Sequence, residues 1–455
     1  MKSRLFGSSG VRGLVNVTLT PVLAAKLGLA VATFSKAGEV LVGRDTRVSG
    51  LMLESALVSS LLAAGVRVSR LDVVPTPVLA YLTRKLGADV GFMITASHNP
   101  PQYNGIKVFD GNGIAYDEEK QNEIERLMAS EGFRLAEWRD VGDTLHFNGA
   151  SLYNEMILKN VKLNKKPYVL LDLGCGATCN VAPALFKSLG CKVTAINAQP
   201  DGFFPCRSPE PNAESLKSLT EIVCNLGADV GIAYDGDGDR VAFVDEKGGF
   251  VDFDRVLAAY AAHVVKKGHG GTVVTNVEAS MCVEKMVEAY GGRVVRTRVG
   301  DVYLAEAMEK HGAIFGGEPC GAWIHPQFHY CPDGLLSSVL LLEALEDEDV
   351  SLSEFVSSAP KYPTLRENVP CENKVKYKVV EKIGEELASV FPNLKQVSTV
   401  DGVRLTLEEG WILVRASGTE PLIRLTVEGE SLKTANEIME KGLSLVKKLV
   451  EEVEN

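Results

Sequence analysis

The sequence predicts an α/β protein made of three similar doubly wound domains and a smaller C-terminal α+β domain. One observation is a repeated segment: GADVGF at residues 87–92 is echoed by GADVGI at 227–232 and, more faintly, by GAIFG at 312–316. A second is the alternation of short apolar strands with amphipathic helices, which is typical of parallel sheets covered on both faces. A third is the change of this pattern after residue 362, where strand signals follow one another.

The three repeats share one order of elements. Each begins with an apolar strand, at 40–43, 169–172 and 272–275. An amphipathic helix follows and ends at a glycine before a second strand, and a further helix ends at the first glycine of the echo. Glycine is favoured just beyond a helix end because it adopts the left-handed backbone conformation without steric cost.

The last segment follows a different order. Strand signals at 403–407 and 411–414 flank Glu409 and Gly410, which predicts a hairpin. Another strand is predicted at 422–427 and a closing helix at 432–450. We therefore expect domains at residues 1–150, 151–250, 251–362 and 363–455.

The composition excludes two classes of partner. The net charge is −11, which argues against a general nucleic-acid surface, so any phosphate binding must rest on local arginines and backbone amides. No apolar run is long enough to span a bilayer and no signal-peptide pattern precedes the first strand, so we expect a cytoplasmic protein with no membrane partner.

The nine cysteines lack a CxxC pair, and Cys175 with Cys179 has no second pair at zinc spacing, which favours free thiols.

The first echo leads into TASHNP at residues 95–100, in which Ser97 is a candidate nucleophile. We call the loop that follows each echo its tail. Ligands of α/β sheets bind beyond the carboxyl ends of the strands, where the first tail is expected to lie. Two prolines follow His98 and Asn99, and they restrict the loop so that the hydroxyl points in a fixed direction. An ordinary turn is the alternative, while a classical hydrolase is disfavoured because no G-x-S-x-G elbow is present.

The second echo leads into DGDGDR at residues 235–240, a candidate metal site. Asp235, Asp237 and Asp239 alternate with glycines, which permit a tight turn in which three carboxylates converge on one hard cation. With Arg240 adjacent, the set suits Mg²⁺ shared with a phosphate. A solvated acidic turn is the alternative. An EF-hand fails, because Arg240 stands where its sharp turn needs glycine.

A loop of the C-terminal domain is a candidate phosphate site. RASGTEP at residues 415–421 contains a guanidinium, two hydroxyls and backbone amides that the glycine leaves accessible. Arg424 offers a second cation. A polar β-turn is the alternative. The groups proposed to bind phosphate are Arg415, Ser417, Gly418, Thr419 and Arg424.

Two further loops have weaker signals. The third echo leads into GEPCG at residues 317–321, where Glu318 either binds sugar hydroxyls or merely turns the chain. Near the start, FGSSGVRG at residues 6–13 is predicted to be a Gly/Ser loop containing Arg12, with a flexible terminus as the alternative.

Together, TASHNP, DGDGDR, GEPCG and RASGTEP resemble the α-D-phosphohexomutases, in this order and over essentially the whole chain. The resemblance implies four domains around a central cleft, with the fourth capturing the phosphate of the substrate. It implies that Ser97 is phosphorylated in the active enzyme, that Mg²⁺ lies between phospho-Ser97 and the three aspartates, and that Glu318 holds sugar hydroxyls.

The family reaction, as the resemblance implies it, passes the phosphoryl group of Ser97 to a sugar monophosphate. The resulting 1,6-bisphosphate, which also serves as activator, reorients and returns its other phosphate to the serine. Mg²⁺ and arginines neutralise charge on the transferred group, so positioning supplies most of the rate. Lys107 matches the general acid/base of the family, and its pKa would need lowering by cations such as Arg12. His98 is expected to orient the loop.

The sugar is predicted from a second motif. VGD at residues 299–301 resembles the glucosamine-phosphate branch and archaeal-type mutases. It favours interconversion of the 6- and 1-phosphates of glucosamine over a phosphomannomutase or phosphoglucomutase activity. Cys320, also expected to contact the substrate, stands where many members have serine, and Ala322 replaces the histidine that follows Gly321 in them.

Two other functions compete, and the oligomeric state is open. A Mg²⁺-dependent sugar phosphatase with Asp235 as nucleophile leaves Ser97 unexplained. A non-catalytic sugar-phosphate sensor would not need Ser97, Lys107 and three aspartates together. The expected partner is a phosphorylated hexose or hexosamine, and a homodimer is left open.

Overall fold

The computed structural model describes residues 5–7, 10–417 and 420–454 of the chain. The chain forms two compact units: one comprises Met1–Phe253 with Gly300–Ser357, and the other Asp254–Val299 with Ser358–Asn455. Ser8, Ser9, Gly418 and Thr419, which belong to two of the predicted loops, lie outside the described residues.

The strands are short and alternate with helices through most of the chain. They are β1 (Phe6–Gly7), β2 (Gly10–Leu14), β3 (Glu39–Arg44), β4 (Arg67–Val73), β5 (Val90–Ile94), β6 (Tyr103–Asp110), β7 (Thr144–His146), β8 (Tyr168–Asp172), β9 (Lys192–Ile196), β10 (Val230–Tyr234), β11 (Val241–Val244), β12 (Gly271–Asn276), β13 (Gly292–Thr297), β14 (Phe315–Gly317), β15 (Trp323–Ile324), β16 (Thr364–Pro370), β17 (Leu394–Ser398), β18 (Val403–Leu407), β19 (Gly410–Ala416) and β20 (Leu422–Gly429).

The α-helices follow the strands in the predicted alternation. They are α1 (Pro21–Ser35), α2 (Gly50–Ala63), α3 (Thr76–Leu86), α4 (Glu118–Ser130), α5 (Ala150–Asn160), α6 (Ala182–Ser188), α7 (Lys217–Leu226), α8 (Phe253–Lys267), α9 (Cys282–Glu288), α10 (Asp301–His311), α11 (Gly334–Glu348), α12 (Leu352–Ser357), α13 (Lys376–Glu386) and α14 (Leu432–Glu454). Among the described residues, no helix combines the length and the apolar character needed to cross a membrane.

The first unit contains two sheets whose central strands are parallel. One has the order β1-β2-β6-β5-β3-β4-β7 and the other β11-β10-β8-β9. Every residue of β5 and of β10 is buried, as expected for strands covered on both faces. The helices α3, α7 and α10 end at Gly87, Gly227 and Gly312, whose φ angles of 72°, 60° and 57° are left-handed. The predicted glycine caps of the three echoes are therefore confirmed.

The alternation of strands and helices indicated parallel sheets, and the structure adds an antiparallel neighbour to the echo strand in each of three sheets. Beyond each echo strand the chain turns back, so β6 pairs antiparallel with β5, β11 with β10 and β15 with β14. The reason is that each tail is a tight loop, which can join only antiparallel neighbours, whereas a parallel pair needs a long crossover. Each tail is thus held between two paired strands.

The predicted Gly/Ser loop at residues 6–13 is also wrong for the part that the structure describes. β1 and β2 pair antiparallel, with Phe6 opposite Val11, and β2 continues the sheet by pairing with β6. Phe6 and Val11 are buried in the core of the first sheet. Burial of these apolar side chains outweighs the weak strand propensity of the glycines around them.

In the second unit, β12 pairs in parallel with β13, and an antiparallel sheet has the order β16-β20-β19-β18-β17. The predicted hairpin is β18–β19, and α14 extends the closing helix to Glu454. Ile412 and Val414 of β19 enter the core beneath α13 and α14. The alternate residues Trp411 and Leu413 pack against Val277 on the opposite face, because side chains of a strand alternate between its two sides.

Candidate active site

The first two tails meet in the first unit, with their backbones in close contact. A Cβ atom built on Gly236 would lie 2.6 Å from the carbonyl oxygen of Ser97. The third tail approaches the same region, since a Cβ atom on Gly321 would lie 2.0 Å from the carbonyl oxygen of Val241. Only glycine fits at these two positions, because any side chain would push the loops apart. The glycines of the tails therefore allow the three loops to converge.

Ser97 is buried and its hydroxyl is oriented from two sides. Its Oγ donates to Oδ2 of Asp235 at 2.7 Å and lies 3.2 Å from Nδ1 of His98. Its backbone has a φ of 53°, a left-handed conformation that costs a non-glycine residue on the order of 1–3 kcal/mol. The hydrogen bond from its amide to Oγ1 of Thr95, at 2.8 Å, helps to hold that conformation.

Arg47, which the sequence analysis missed, holds the serine loop through its backbone. Its Nη2 donates to the carbonyl oxygens of Ser97 and Asn99 at 2.9 and 2.6 Å, and its Nη1 to those of Pro100 and Tyr103 at 2.6 and 2.9 Å. Arg47 is only 1% exposed. One planar guanidinium therefore donates to four carbonyl groups of the same loop.

The guanidinium of Arg47 is held in turn by Asp45 and by the ring of Phe204. Its Nε donates to Oδ2 of Asp45 at 2.9 Å, and the same carboxylate oxygen accepts from Oγ1 of Thr95 at 2.7 Å. The guanidinium carbon lies 5.1 Å from the ring centroid of Phe204, a cation–π contact. A hint was present in the sequence, because RDTR at residues 44–47 puts charged residues directly after an apolar strand.

The three aspartates of the second tail converge as predicted. One ligand oxygen from each of Asp235, Asp237 and Asp239 lies within 4.8 Å of the others, and all three side chains are buried. Oδ1 of Asp235 accepts from the amides of Gly238 and Arg240 at 2.9 and 3.2 Å. Oδ1 of Asp237 and Oδ1 of Asp239 are buried and have no hydrogen-bond partner among the residues that the structure describes.

This donor set fits a hard divalent cation. A buried carboxylate oxygen without a partner is costly, and like charges in one place repel each other. Burial and the neighbouring charges of Asp237 and Asp239 raise the pKa of Asp235. A cation bound by the three carboxylates would remove both costs, and oxygen ligands are those that Mg²⁺ prefers.

Lys107 reaches the same carboxylates from β6. Its Nζ lies 3.0 Å from Oδ2 of Asp237 and 2.5 Å from Oδ2 of Asp239. Burial alone would lower the pKa of Lys107, but the charges of Asp237 and Asp239 outweigh it and raise the pKa. The lowered pKa that we expected for Lys107 is therefore wrong for this arrangement, because the lysine faces two carboxylates and the effect of Arg12 is weaker.

His98, Arg12 and Arg240 border the serine. Burial lowers the pKa of His98 to about 3, helped by the charges of Arg240 and Arg12. A neutral imidazole therefore lies beside the hydroxyl of Ser97. Nη1 of Arg12 donates to Oδ1 of Asn99 at 3.1 Å. Burial lowers the pKa of Arg240, but the surrounding Cys320, Asp239, Asp235 and Glu318 outweigh it and raise the pKa.

The third tail is stabilised by backbone hydrogen bonds around Glu318. Oε1 of Glu318 accepts from the amide of Gly300 at 2.9 Å, at the start of α10. Gly300, part of the predicted VGD motif, has a φ of 135°, which an L side chain rarely adopts. Burial raises the pKa of the half-buried Cys320 to about 12, so its thiol is a neutral group beside Arg240.

In the second unit, the two arginines predicted to bind phosphate lie on neighbouring strands. Arg415 of β19 is opposite Arg424 of β20 in the register. Both are already paired: Arg415 contacts Glu278 at 2.5 Å and Asp401 at 3.1 Å, and Arg424 contacts Glu420 at 2.7 Å.

A second residue missed by the sequence analysis supports this loop. Nζ of Lys376, on α13, donates to the carbonyl oxygens of Ser417 and, at 3.0 Å, Glu420. Oγ of Ser417 accepts from the amide of Glu420 at 3.1 Å. Gly418 and Thr419 lie between these two anchored positions and outside the described residues.

Fold and site together define a multidomain α/β protein with a serine–carboxylate centre. Four family models match the chain in order: phosphoglucomutase/phosphomannomutase alpha/beta/alpha domain I at residues 3–135, domain II at 151–249, domain III at 252–362, and the C-terminal domain at 367–442. The chain therefore belongs to the phosphoglucomutase/phosphomannomutase family.

Individual relatives agree with this assignment. The chain is 44% identical over 450 residues to a probable phosphoglucosamine mutase of Pyrococcus horikoshii, covering 99% of each chain. It is 45% identical over 449 residues to a phosphoglucosamine mutase of Methanocaldococcus jannaschii, covering 98% of each. A phosphoglucomutase/phosphomannomutase family protein from Burkholderia thailandensis has a similar structure, with a TM-score of 0.88, 27% identity and coverage of 98% and 97% of the two chains.

Proposed function

We propose that this chain is a phosphoglucosamine mutase that interconverts glucosamine 6-phosphate and glucosamine 1-phosphate. The observation that carries the proposal is the buried Ser97 hydroxyl at 2.7 Å from Asp235, within a trio of converging carboxylates. That arrangement suits a serine that carries a phosphoryl group beside a cation. The names of the archaeal relatives support glucosamine as the sugar.

Ser97 is proposed to hold the phosphoryl group and exchange it with the sugar through a 1,6-bisphosphate. Asp235, Asp237 and Asp239 would hold Mg²⁺ together with phospho-Ser97, and the cation would neutralise charge on the transferred group. Arg47 keeps the serine loop fixed, so the acceptor hydroxyl meets a phosphoryl group of defined direction. Arg12 and Arg240 provide positive charge beside it.

Lys107 is proposed as the general acid/base. Its contacts with Asp237 and Asp239 keep it protonated in this arrangement. A protonated ammonium group suits the half of the reaction in which the serine oxygen leaves and needs a proton. The neutral His98 would orient the hydroxyl of Ser97.

Substrate recognition is assigned to two sets of residues. Glu318 and Cys320 are proposed to contact sugar hydroxyls, with Glu318 held by the amide of Gly300. The phosphate that is not transferred is assigned to the loop of the C-terminal domain, through Arg415, Ser417, Gly418, Thr419 and Arg424. Arginine forks and backbone amides are suited to a phosphate monoester.

The competing functions are less well supported. A phosphatase that uses Asp235 as nucleophile would leave the buried Ser97 hydroxyl, which is oriented toward Asp235, without a role. A phosphomannomutase or phosphoglucomutase activity shares every residue above and differs only in the sugar. Cytoplasmic location and a homodimer stay predictions.

One preparation tests the proposal. The protein is charged with a trace of hexose 1,6-bisphosphate and Mg²⁺, and turnover of the 1-phosphates of glucosamine, mannose and glucose is compared. We expect the phosphate on the peptide containing Ser97 and the highest kcat/KM with glucosamine 1-phosphate. Ser97→Ala should lose both, whereas Ser55→Ala, at an exposed serine of α2, should lose neither. Phosphate mapped to Asp235, or no turnover of any sugar phosphate by the phosphorylated protein, would overturn the proposal.

A further inference from the structure

Two cysteines of the first unit lie close together, and the proposed mutase chemistry does not use them. Sγ of Cys175, in the loop after β8, lies 3.7 Å from Sγ of Cys206, in the segment before α7. Both are reduced; Cys175 is buried and Cys206 is exposed. The pair therefore combines one thiol that solvent reaches with one that it does not.

The local backbone fixes Cys175, and the side chain after Cys206 is anchored. Cys175 has a left-handed φ of 58°, its amide donates to the carbonyl of Asn197 at 2.8 Å, and its own carbonyl accepts from Asp201 at 3.0 Å. The residue after Cys206 is anchored as well, because Nε of Arg207 lies 2.9 Å from Oδ2 of Asp172. A disulfide needs a sulfur separation of about 2.05 Å, so closure requires only a short movement of the exposed partner.

We propose that Cys175 and Cys206 are a modification site at which a peroxide forms a reversible disulfide. In the first step the thiol of Cys206 attacks hydrogen peroxide, which gives a sulfenic acid and one water. In the second step the thiol of Cys175 attacks the sulfenic sulfur, which forms the S–S bond and releases a second water. Two thiols lose two electrons and two protons, and a small dithiol restores both.

The order of these steps follows from the surroundings of the two thiols. Cys206 is the exposed partner and meets the oxidant first. Burial and the neighbouring Cys206 thiol raise the pKa of Cys175 to about 11, so this group rarely ionises and is a poor first nucleophile. Cys175 is nevertheless in place to react once a sulfenic acid forms beside it.

The segment that bears Cys206 also contacts both parts of the proposed site. Two residues before it, the Phe204 ring packs on the guanidinium of Arg47, which holds the serine loop. One residue after it, Nη2 of Arg207 donates to the carbonyl of Tyr234 at 2.7 Å, immediately before Asp235. Movement of Cys206 toward Cys175 would therefore disturb Ser97 and Asp235 together. This effect on turnover, unlike the disulfide, rests on the proposed function.

The test uses the full-length protein, fully reduced and then treated with a small excess of hydrogen peroxide. Free thiols are blocked, and peptides are mapped without reduction. We expect loss of two of the nine thiols and one linked peptide joining Cys175 to Cys206. Cys206→Ser should abolish the linked peptide, whereas Cys224→Ser, at an exposed cysteine of α7, should leave it unchanged. Free Cys175 and Cys206 after treatment, or a link from either to Cys179, would overturn the site.

Turnover of the same samples tests the second part. Oxidation should lower kcat about tenfold or more, because a misplacement on the order of 1 Å can cost about 10²-fold. A dithiol should restore it, and Cys206→Ser should be insensitive to peroxide. A disulfide with unchanged kcat would overturn the link to the site. A reduced protein without any turnover would count against the proposed function, and peptide mapping would still decide the modification site.

Discussion

Oγ of Ser97 donates to Oδ2 of Asp235 across 2.7 Å, although the two residues are 138 positions apart. Each lies at the end of an equivalent strand in its own repeat, β5 and β10. The contact is possible because Gly236 lets the two tails approach backbone to backbone. The serine is thus positioned by the carboxylate cluster before any ligand binds.

The four hydrogen bonds from Arg47 to the serine loop predict a large effect of Arg47→Lys. Lysine keeps the charge opposite Asp45 but cannot reach four carbonyl oxygens at once. We expect kcat to fall about 10²-fold with little change in KM, since the loop would hold the serine less accurately. Steady-state kinetics would show this, with Arg126→Lys on the exposed face of α4 as control. An equal rise in KM would mean that Arg47 acts on substrate binding instead.

The close approach of Gly236 to Ser97 predicts that Gly236→Ala separates the two tails. A methyl group 2.6 Å from the carbonyl oxygen of Ser97 must displace one of the loops, at a cost of about 1–3 kcal/mol. Turnover and thermal stability should both fall. Gly38→Ala is a suitable control, because its nearest contact would be 3.8 Å away. Identical losses in the two variants would argue against this role of Gly236.

The unpartnered oxygens of Asp237 and Asp239 predict that Mg²⁺ stabilises the protein. Binding to the folded state alone should contribute about 2.7 kcal/mol at a Mg²⁺ concentration one hundred times Kd. Calorimetric unfolding with Mg²⁺ or a chelator would measure the shift in Tm. Asp239→Asn should reduce the shift, and Glu246→Gln, outside the trio, should retain it. A wild-type Tm that does not respond to Mg²⁺ would contradict a cation site here.

The buried His325 predicts a loss of stability in acid. Burial lowers its pKa from 6.5 to about 3, so between these values the unfolded chain binds the proton and the folded chain does not. Its contribution to stability is therefore complete above pH 6.5 and declines toward pH 3, by roughly 1.4 kcal/mol per pH unit within that window. Urea unfolding of wild type and His325→Gln across this range would measure the difference in slope. Parallel curves would show that His325 does not titrate as expected.

The sequence predicted the fold and the positions of the tails because those depend on local signals. Gly87 and Gly227 and the apolar strands after them can be recognised in the sequence. Both glycines adopt the left-handed conformation that glycine favours at a helix end. Arg47 escaped prediction because its partners are backbone carbonyls about 50 residues away, which no side-chain pattern reports. The direction of the Lys107 pKa shift depended in the same way on which charges the fold brings near it.

The duplicated scaffold has a consequence for how the chain can change over time. The Ser97 tail lacks the carboxylates, and the Asp235 tail lacks the hydroxyl. Neither tail forms the proposed site without the other, so natural selection acts on the two tails together. Under the proposed function, a substitution that shifts one tail preserves activity only if the other tail shifts with it. The two copies are free to diverge in their helices and strands, but at their loop ends they must evolve as a single unit.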